Sequence, residues 1–203
     1  MTYIRPYIYF ICLIVTSSNL WADSVNVKNL EDKYYDLFSN TENEGKGFLI
    51  VSFNRDVPAN LQEEVLSNIL QQACAAKPIK NYRAIYSVLN YLSVYGKEFK
   101  LSAQMNSNLN LLAKDDIYTI RYDVIDVLGR LKSNQNNNVI LDALTDKNEK
   151  VRGAAIEALQ TRSGSAAVYQ KFIKDHQDDP AYAASVQQVK NNIEVTREKN
   201  HSQ

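Results

Sequence analysis

The chain has 203 residues, and its 23 basic side chains are balanced by 23 acidic ones. Zero formal net charge argues against a nucleic-acid binder that works by displacing counterions from a basic face, and against a polybasic membrane anchor. With 45% hydrophobic residues, the chain suits one globular domain with a continuous core.

The first element is a leader. Arg5 is the only basic side chain before residue 23, and Ile8 to Val15 (IYFICLIV) is an unbroken apolar run. Thr16, Ser17 and Ser18 follow, and the small Ala22 precedes Asp23. This is the charged, apolar, small-residue order of a secretory signal peptide. The run is well short of the roughly 20 apolar residues that a spanning helix needs. Residues 1–22 are therefore read as a signal peptide cleaved after Ala22, with no stable membrane insertion after cleavage. The expected location is the periplasm or the extracellular space of a bacterium. Cleavage would remove Cys12 and leave Cys74 as the single thiol, so no intrachain disulfide can form. Cys74 is expected to pack as a small apolar side chain, with an intermolecular bridge as the alternative. The one N-glycosylation triplet, Asn200-His201-Ser202, falls in a polar tail, read over 196–203 as disordered.

Residues 23–58 read as a short, irregular N-terminal cap. Within it LEDKYYDLFSN is a short helix and TENEGKG, residues 41–47, is a loop. Phe48 to Phe53 (FLIVSF) is a compact run containing β-branched residues. A buried strand is favoured there over a helical turn, although so short a run carries no decisive period.

From residue 59 onward the pattern is helical. Leu61, Val65, Ile69 and Ala73 recur every fourth position, and Lys77-Pro78 ends that helix. NYRAIYSVLNYLSVYG follows, ended by Gly96, and then EFKLSAQMNSNLNLLAK. Further helices are expected over 116–132, 138–145, 150–161, 165–176 and 181–194. The polar turns between them are short, which implies antiparallel neighbours.

Two of these segments are copies. At a shift of 31, Asp115 meets Asp146, Ile120 meets Val151 and Arg121 meets Arg152. Val124 meets Ala155, Ile125 meets Ile156, Val127 meets Ala158 and Leu128 meets Leu159. The shared apolar positions lie at helical spacing. The shared arginine stands at the start of each helix, just after a turn aspartate. Such an aspartate can cap the turn and accept a charge-assisted bond from a neighbouring arginine, locking adjacent layers in register.

DKNEKVRGAAIEALQ with SAAVYQKFIKDH, and DDIYTIRYDVIDVLGRL with NNNVILDALTD, resemble HEAT repeats, most closely the short units of phycobilisome-lyase type. The resemblance is strongest over 115–176. DDPAYAASVQQV is a degenerate third copy without the arginine. NYRAIYSVLNYL aligns upstream at a shift of 39, with Tyr82 in the arginine slot. The resemblance implies an all-α fold, a right-handed α-solenoid of antiparallel helix pairs over 59–195, in which Asp115, Arg121, Asp146 and Arg152 are structural repeat positions.

Catalytic signals are weak. His176 stands beside Asp175, Asp178 and Asp179, but one histidine at a helix end is better read as a favourable dipole partner than as a metal ligand. DKNEKVRGAAIE has Asp and Glu at the ends of a calcium loop, yet Val151 and Lys150 occupy positions that need glycine and an oxygen ligand. No nucleophile elbow or phosphate loop is present. No catalytic, cofactor or metal residue is assigned, and the chain is not expected to be an enzyme.

Thirteen tyrosines are the unusual component. In the helix after Asn81, Tyr82, Tyr86 and Leu89 form one stripe, and Ala84, Val88, Tyr91 and Tyr95 another. Packing inside the stack is favoured, with a partner face as the alternative. The expected function is a non-catalytic scaffold for protein–protein interaction, binding a polar protein or peptide and no nucleic acid. Its face is placed on the second helices of the units, at Asn138, Asp142, Tyr169, Gln170, Lys171 and Lys174. Two alternatives are a small-ligand-handling, lyase-like protein, which the resemblance implies, and a structural protein that self-associates through Tyr91 and Tyr95.

Overall fold

The computed structural model describes residues 26–40, 48–77, 80–131, 136–160, 162 and 164–201. The leader over 1–22, the loop over 41–47 and Ser202 of the glycosylation triplet lie outside the described residues. The described residues form ten α-helices and no strand. They are α1 (Val27–Ser39), α2 (Phe48–Asp56), α3 (Ala59–Ala75), α4 (Tyr82–Tyr95) and α5 (Ala103–Leu112). After these come α6 (Tyr118–Arg130), α7 (Asn137–Ala143), α8 (Glu149–Gln160), α9 (Ser165–His176) and α10 (Ala183–His201).

Local chemistry sets several boundaries. Asn26 caps α1 by accepting from the Lys28 N–H at 3.0 Å, Asn81 caps α4 through the Ala84 N–H at 3.3 Å, and Ser102 caps α5 through the Met105 N–H at 3.1 Å. The helix expected from Glu98 onward therefore starts later, at Ala103, after a 3-10 turn over Gly96–Glu98. At the other end of the chain α10 continues to His201, past the point where a disordered tail was expected.

The strand expected over 48–53 is instead the start of α2. A strand needs a neighbour for its N–H and C=O groups, and no described residue offers one. The helix aligns Phe53 and Val57 on one buried side and leaves Val51 58% exposed. Phe53 lies 4.8 Å from the Tyr34 ring, 5.9 Å from Phe38 and 4.9 Å from Tyr91, centroid to centroid. The N-terminal segment is thus a helical cap sealed by aromatic rings, not an irregular one.

The rest is an all-α solenoid. The first helices of successive units pack side by side, α4 on α6, α6 on α8 and α8 on α10. Second helices fill the clefts: α5 packs on α3 and α6, α7 lies against both α6 and α8, and α9 against α10. Every apolar position matched in the two copies is buried, from Ile120 through Leu128 and from Val151 through Leu159.

Contact between α6 and α8 is the most extensive in the stack, and it is close where Gly129 has no side chain. A Cβ there would sit 2.8 Å from Ala158 Cβ and 3.1 Å from Ala158 Cα. Gly129→Ala is expected to destabilise by about 1–3 kcal/mol, the usual range for overpacking. Combining it with Ala158→Gly should recover more than half of the loss in chemical denaturation. Simple addition of the two single losses would contradict the close approach.

Candidate functional site

The turn aspartates come first, since they hold the units in register. Asp115 Oδ1 accepts from the Ile117 N–H at 3.0 Å, Asp146 Oδ1 from Asn148 at 2.7 Å and Asp179 Oδ1 from Ala181 at 2.9 Å. Each carboxylate closes its own turn, as short polar side chains do. The arginines then straddle two turns. Arg121 Nη1 donates to the Asp115 and Asp116 carbonyls at 2.7 and 3.1 Å, within its own turn. Its Nε and Nη2 reach forward to Asp146 Oδ2 and Oδ1 at 2.7 and 2.8 Å. This is a two-pronged pair of the strong, charge-assisted kind.

Arg152 repeats the geometry with a different acceptor. Its Nη1 donates to the Asp146 carbonyl at 2.9 Å, its Nη2 to the Ala181 carbonyl at 2.7 Å and its Nε to Ser185 Oγ at 2.9 Å. Its guanidinium also lies 4.8 Å from the Tyr182 ring centroid. Ser185 occupies the arginine slot of the degenerate third copy, six residues after Asp179. The carboxylate bond expected of both arginines therefore holds for Arg121, whereas Arg152 uses carbonyls and a hydroxyl. Upstream, the rung comes from Lys80, whose Nζ donates to Asp115 Oδ2 at 2.6 Å, and the aligned Tyr82 hydroxyl also hydrogen-bonds this carboxylate.

Charge follows this geometry. Burial pushes the Asp146 carboxyl up, but the Arg121 guanidinium and the Asn148 N–H outweigh it and hold the group below its ordinary value. Asp115 behaves alike, with Lys80 and the Ile117 N–H opposing burial. Asp123 on α6 goes the other way, to about 6, through burial first and the neighbouring Asp126 second. Between about pH 4 and 6 the unfolded chain gives up a proton that the folded chain keeps, so stability falls as pH rises through this window. Asp123→Asn is expected to raise stability by roughly 1–2 kcal/mol at neutral pH and to leave it unchanged near pH 3. Thermal melts at both pH values check this.

Above one rung lies a half-open recess of about 350 Å³ between α5 and α7. Asn110, Ala113 and Lys114 line one wall, Asn138, Val139, Asp142 and Ala143 the other, and Arg121 with Asp146 forms the floor. Small apolar side chains thus lie between exposed polar ones. Asn110, Lys114, Asn138 and Asp142 make no side-chain hydrogen bond or ion pair among the described residues.

Of the six residues expected on a partner face, the recess brings together Asn138 and Asp142. Gln170, Lys171 and Lys174 are exposed on α9 outside its lining, and Lys171 pairs with Asp175. Tyr169 cannot belong to an open face. It is 4% exposed beside Phe172, and its hydroxyl donates to the Ile156 carbonyl at 2.5 Å. Asn110 and Lys114 went unread in the sequence, because their segment reads as polar in its middle and apolar toward Leu109, Leu111 and Leu112, and nothing local shows that α7 lies opposite.

Tyr91, offered as part of a self-association stripe, is fully buried, and Tyr95 is half-buried against it. Cys74 is half-buried, and burial raises its thiol to about 11. Among the described residues no helix is long and apolar enough to cross a membrane.

Helix pairs stacked through forward-reaching basic side chains define an α-solenoid. Residues 105–189 match the family model described as HEAT repeats, so this part of the chain is built of HEAT repeats. Repeats of this family commonly mediate protein–protein interaction. Searches of curated proteins and of solved structures found no match.

Proposed function

We propose that this protein is an exported, non-catalytic scaffold that binds another protein through the recess between α5 and α7. One observation carries the reading: the recess walls expose two carboxamides and two opposite charges that no side chain among the described residues engages. A carboxamide supplies a donor and an acceptor together, the complement of a peptide group. Small apolar residues beneath allow a partner's main chain to come close. Export is supported by the leader-like order of residues 1–22, and a bacterial envelope by the near absence of cysteine.

The test is crosslinking capture from the envelope fraction, comparing the wild type with an Asn110→Ala/Asn138→Ala variant. Both side chains are exposed, so the variant should fold with an unchanged melting midpoint. A partner captured by the wild type and lost from the variant is expected. Equal capture by both would end the assignment of this face. Native mass spectrometry showing a retained small molecule would favour the ligand-handling alternative. The amino terminus of the purified protein should be Asp23, and an unprocessed cytoplasmic chain would overturn export.

A further inference from the structure

We infer that the recess takes an extended segment of the partner carrying one acidic and one basic side chain on the same face, the acid toward α5 and the base toward α7. This rests on the scaffold reading and specifies the chemistry of its partner. Lys114 stands on the α5 wall and Asp142 on the α7 wall, both exposed. Neither ammonium nor carboxylate has an ion-pair partner among the described residues. At the floor, Arg121 and Asp146 satisfy one another and present no net charge. The walls therefore set the sign of what fits. A polyanion would meet Asp142, and a polycation would meet Lys114.

The geometry favours a polypeptide over a small zwitterion. Small-molecule sites typically enclose roughly 70–90% of their ligand, whereas this recess is half open. The two walls flank a single recess of about 350 Å³. In an extended chain, side chains two residues apart share a face and are separated by about 7 Å. An acid and a base at that spacing can face the two walls at once, while the carboxamides of Asn110 and Asn138 hold the intervening main chain. Charges at partly exposed positions add little affinity individually, but like-charge placement is penalised, so the pair chiefly confers selectivity.

The experiment is an NMR titration of the isotope-labelled protein with four synthetic peptides of about eight residues, long enough to cross both walls. They differ only at two positions two apart, occupied by Glu and Lys, Lys and Glu, Glu and Glu, or Lys and Lys. One mixed peptide is expected to shift the amides of residues 110–114 and 138–143 and to bind about tenfold tighter than either like-charged peptide. In the Lys114→Glu/Asp142→Lys exchange variant, preference should pass to the other mixed peptide. Equal binding of all four overturns the proposal. So does an unreversed preference, or an absence of shifts at millimolar peptide. A free Glu–Lys dipeptide that bound as well would also overturn it, since the site would then be one for a small zwitterion. Capture of the envelope partner separates the two readings. If capture is lost in Asn110→Ala/Asn138→Ala but unaffected by the exchange, the scaffold stands and the charge assignment falls. If neither variant affects capture, both fall.

Discussion

Replacing Arg121 with methionine is expected to cost about 3–5 kcal/mol of unfolding free energy, the range for removing one member of a buried ion pair. Methionine keeps most of the buried stem, so packing is not what is lost. The Asp146 carboxylate, only 13% exposed, would lose both charge-assisted donors and keep just the Asn148 N–H. The Asp115 and Asp116 carbonyls would lose theirs as well. Adding Asp146→Asn should recover part of the stability, because it removes the stranded charge and keeps the acceptor that closes the turn. Arg152→Met should cost less, about 1–3 kcal/mol, since it strands carbonyls and a hydroxyl but no carboxylate. Urea titrations of the three variants give the comparison. Equal losses for the two arginines would show that the carboxylate is not what distinguishes them.

Tyr91→Ala is the second large effect, also about 3–5 kcal/mol, as for deletion of a buried aromatic ring. Its ring is 0% exposed and contacts Phe53, Tyr95 and Phe99 at centroid distances of 4.9, 5.0 and 6.2 Å. Its hydroxyl lies 3.0 Å from both Asn54 Oδ1 and Gln62 Oε1. The ring thereby joins α4 to α2, and the hydroxyl joins it to α2 and α3. Removing it would open a cavity where the cap meets the repeats, so the loss should appear as early exposure of the Phe53 region in hydrogen exchange. Tyr91→Phe isolates the polar part and is expected to cost roughly 1–2 kcal/mol, since Gln62 is buried and would lose a donor. A Tyr91→Ala variant as stable as the wild type would mean that the cap does not depend on this ring.

Legibility followed the range of the interactions. Helices from residue 59 onward could be read because four-residue apolar spacing is a local property, and the matched positions of the two copies are all buried. The arginine–aspartate rung was readable at Arg121 because the repeat displayed both members. It misled at Arg152, where the next copy offers Ser185 and a backbone carbonyl, and it was incomplete upstream, where Lys80, two residues before the aligned Tyr82, shares the Asp115 carboxylate with it. Phe48 to Phe53 misread as a strand because what makes it a helix is distant, namely the rings of Tyr34, Phe38 and Tyr91. The recess was half visible. Asn138 and Asp142 follow from the polar side of α7, whereas Lys114 and Asn110 become meaningful only when α5 is set against α7. Tyr169 was misplaced because a tyrosine on an amphipathic helix fits either side of it, and only the Ile156 carbonyl decides.

The rungs are unequal in chemistry, and this gives the array a preferred direction of failure. In a stack where each layer touches only its neighbours, melting proceeds like unzipping from whichever junction is least tied. The α6–α8 junction has a two-pronged ion pair and the Gly129–Ala158 approach, and the opposite cap is sealed with aromatic rings. The α8–α10 junction has Arg152 on neutral acceptors and the Tyr182 ring, with no ion pair among the described residues. Under heat or mechanical pull, α10 is expected to peel first, and the layers holding the recess are expected to outlast it.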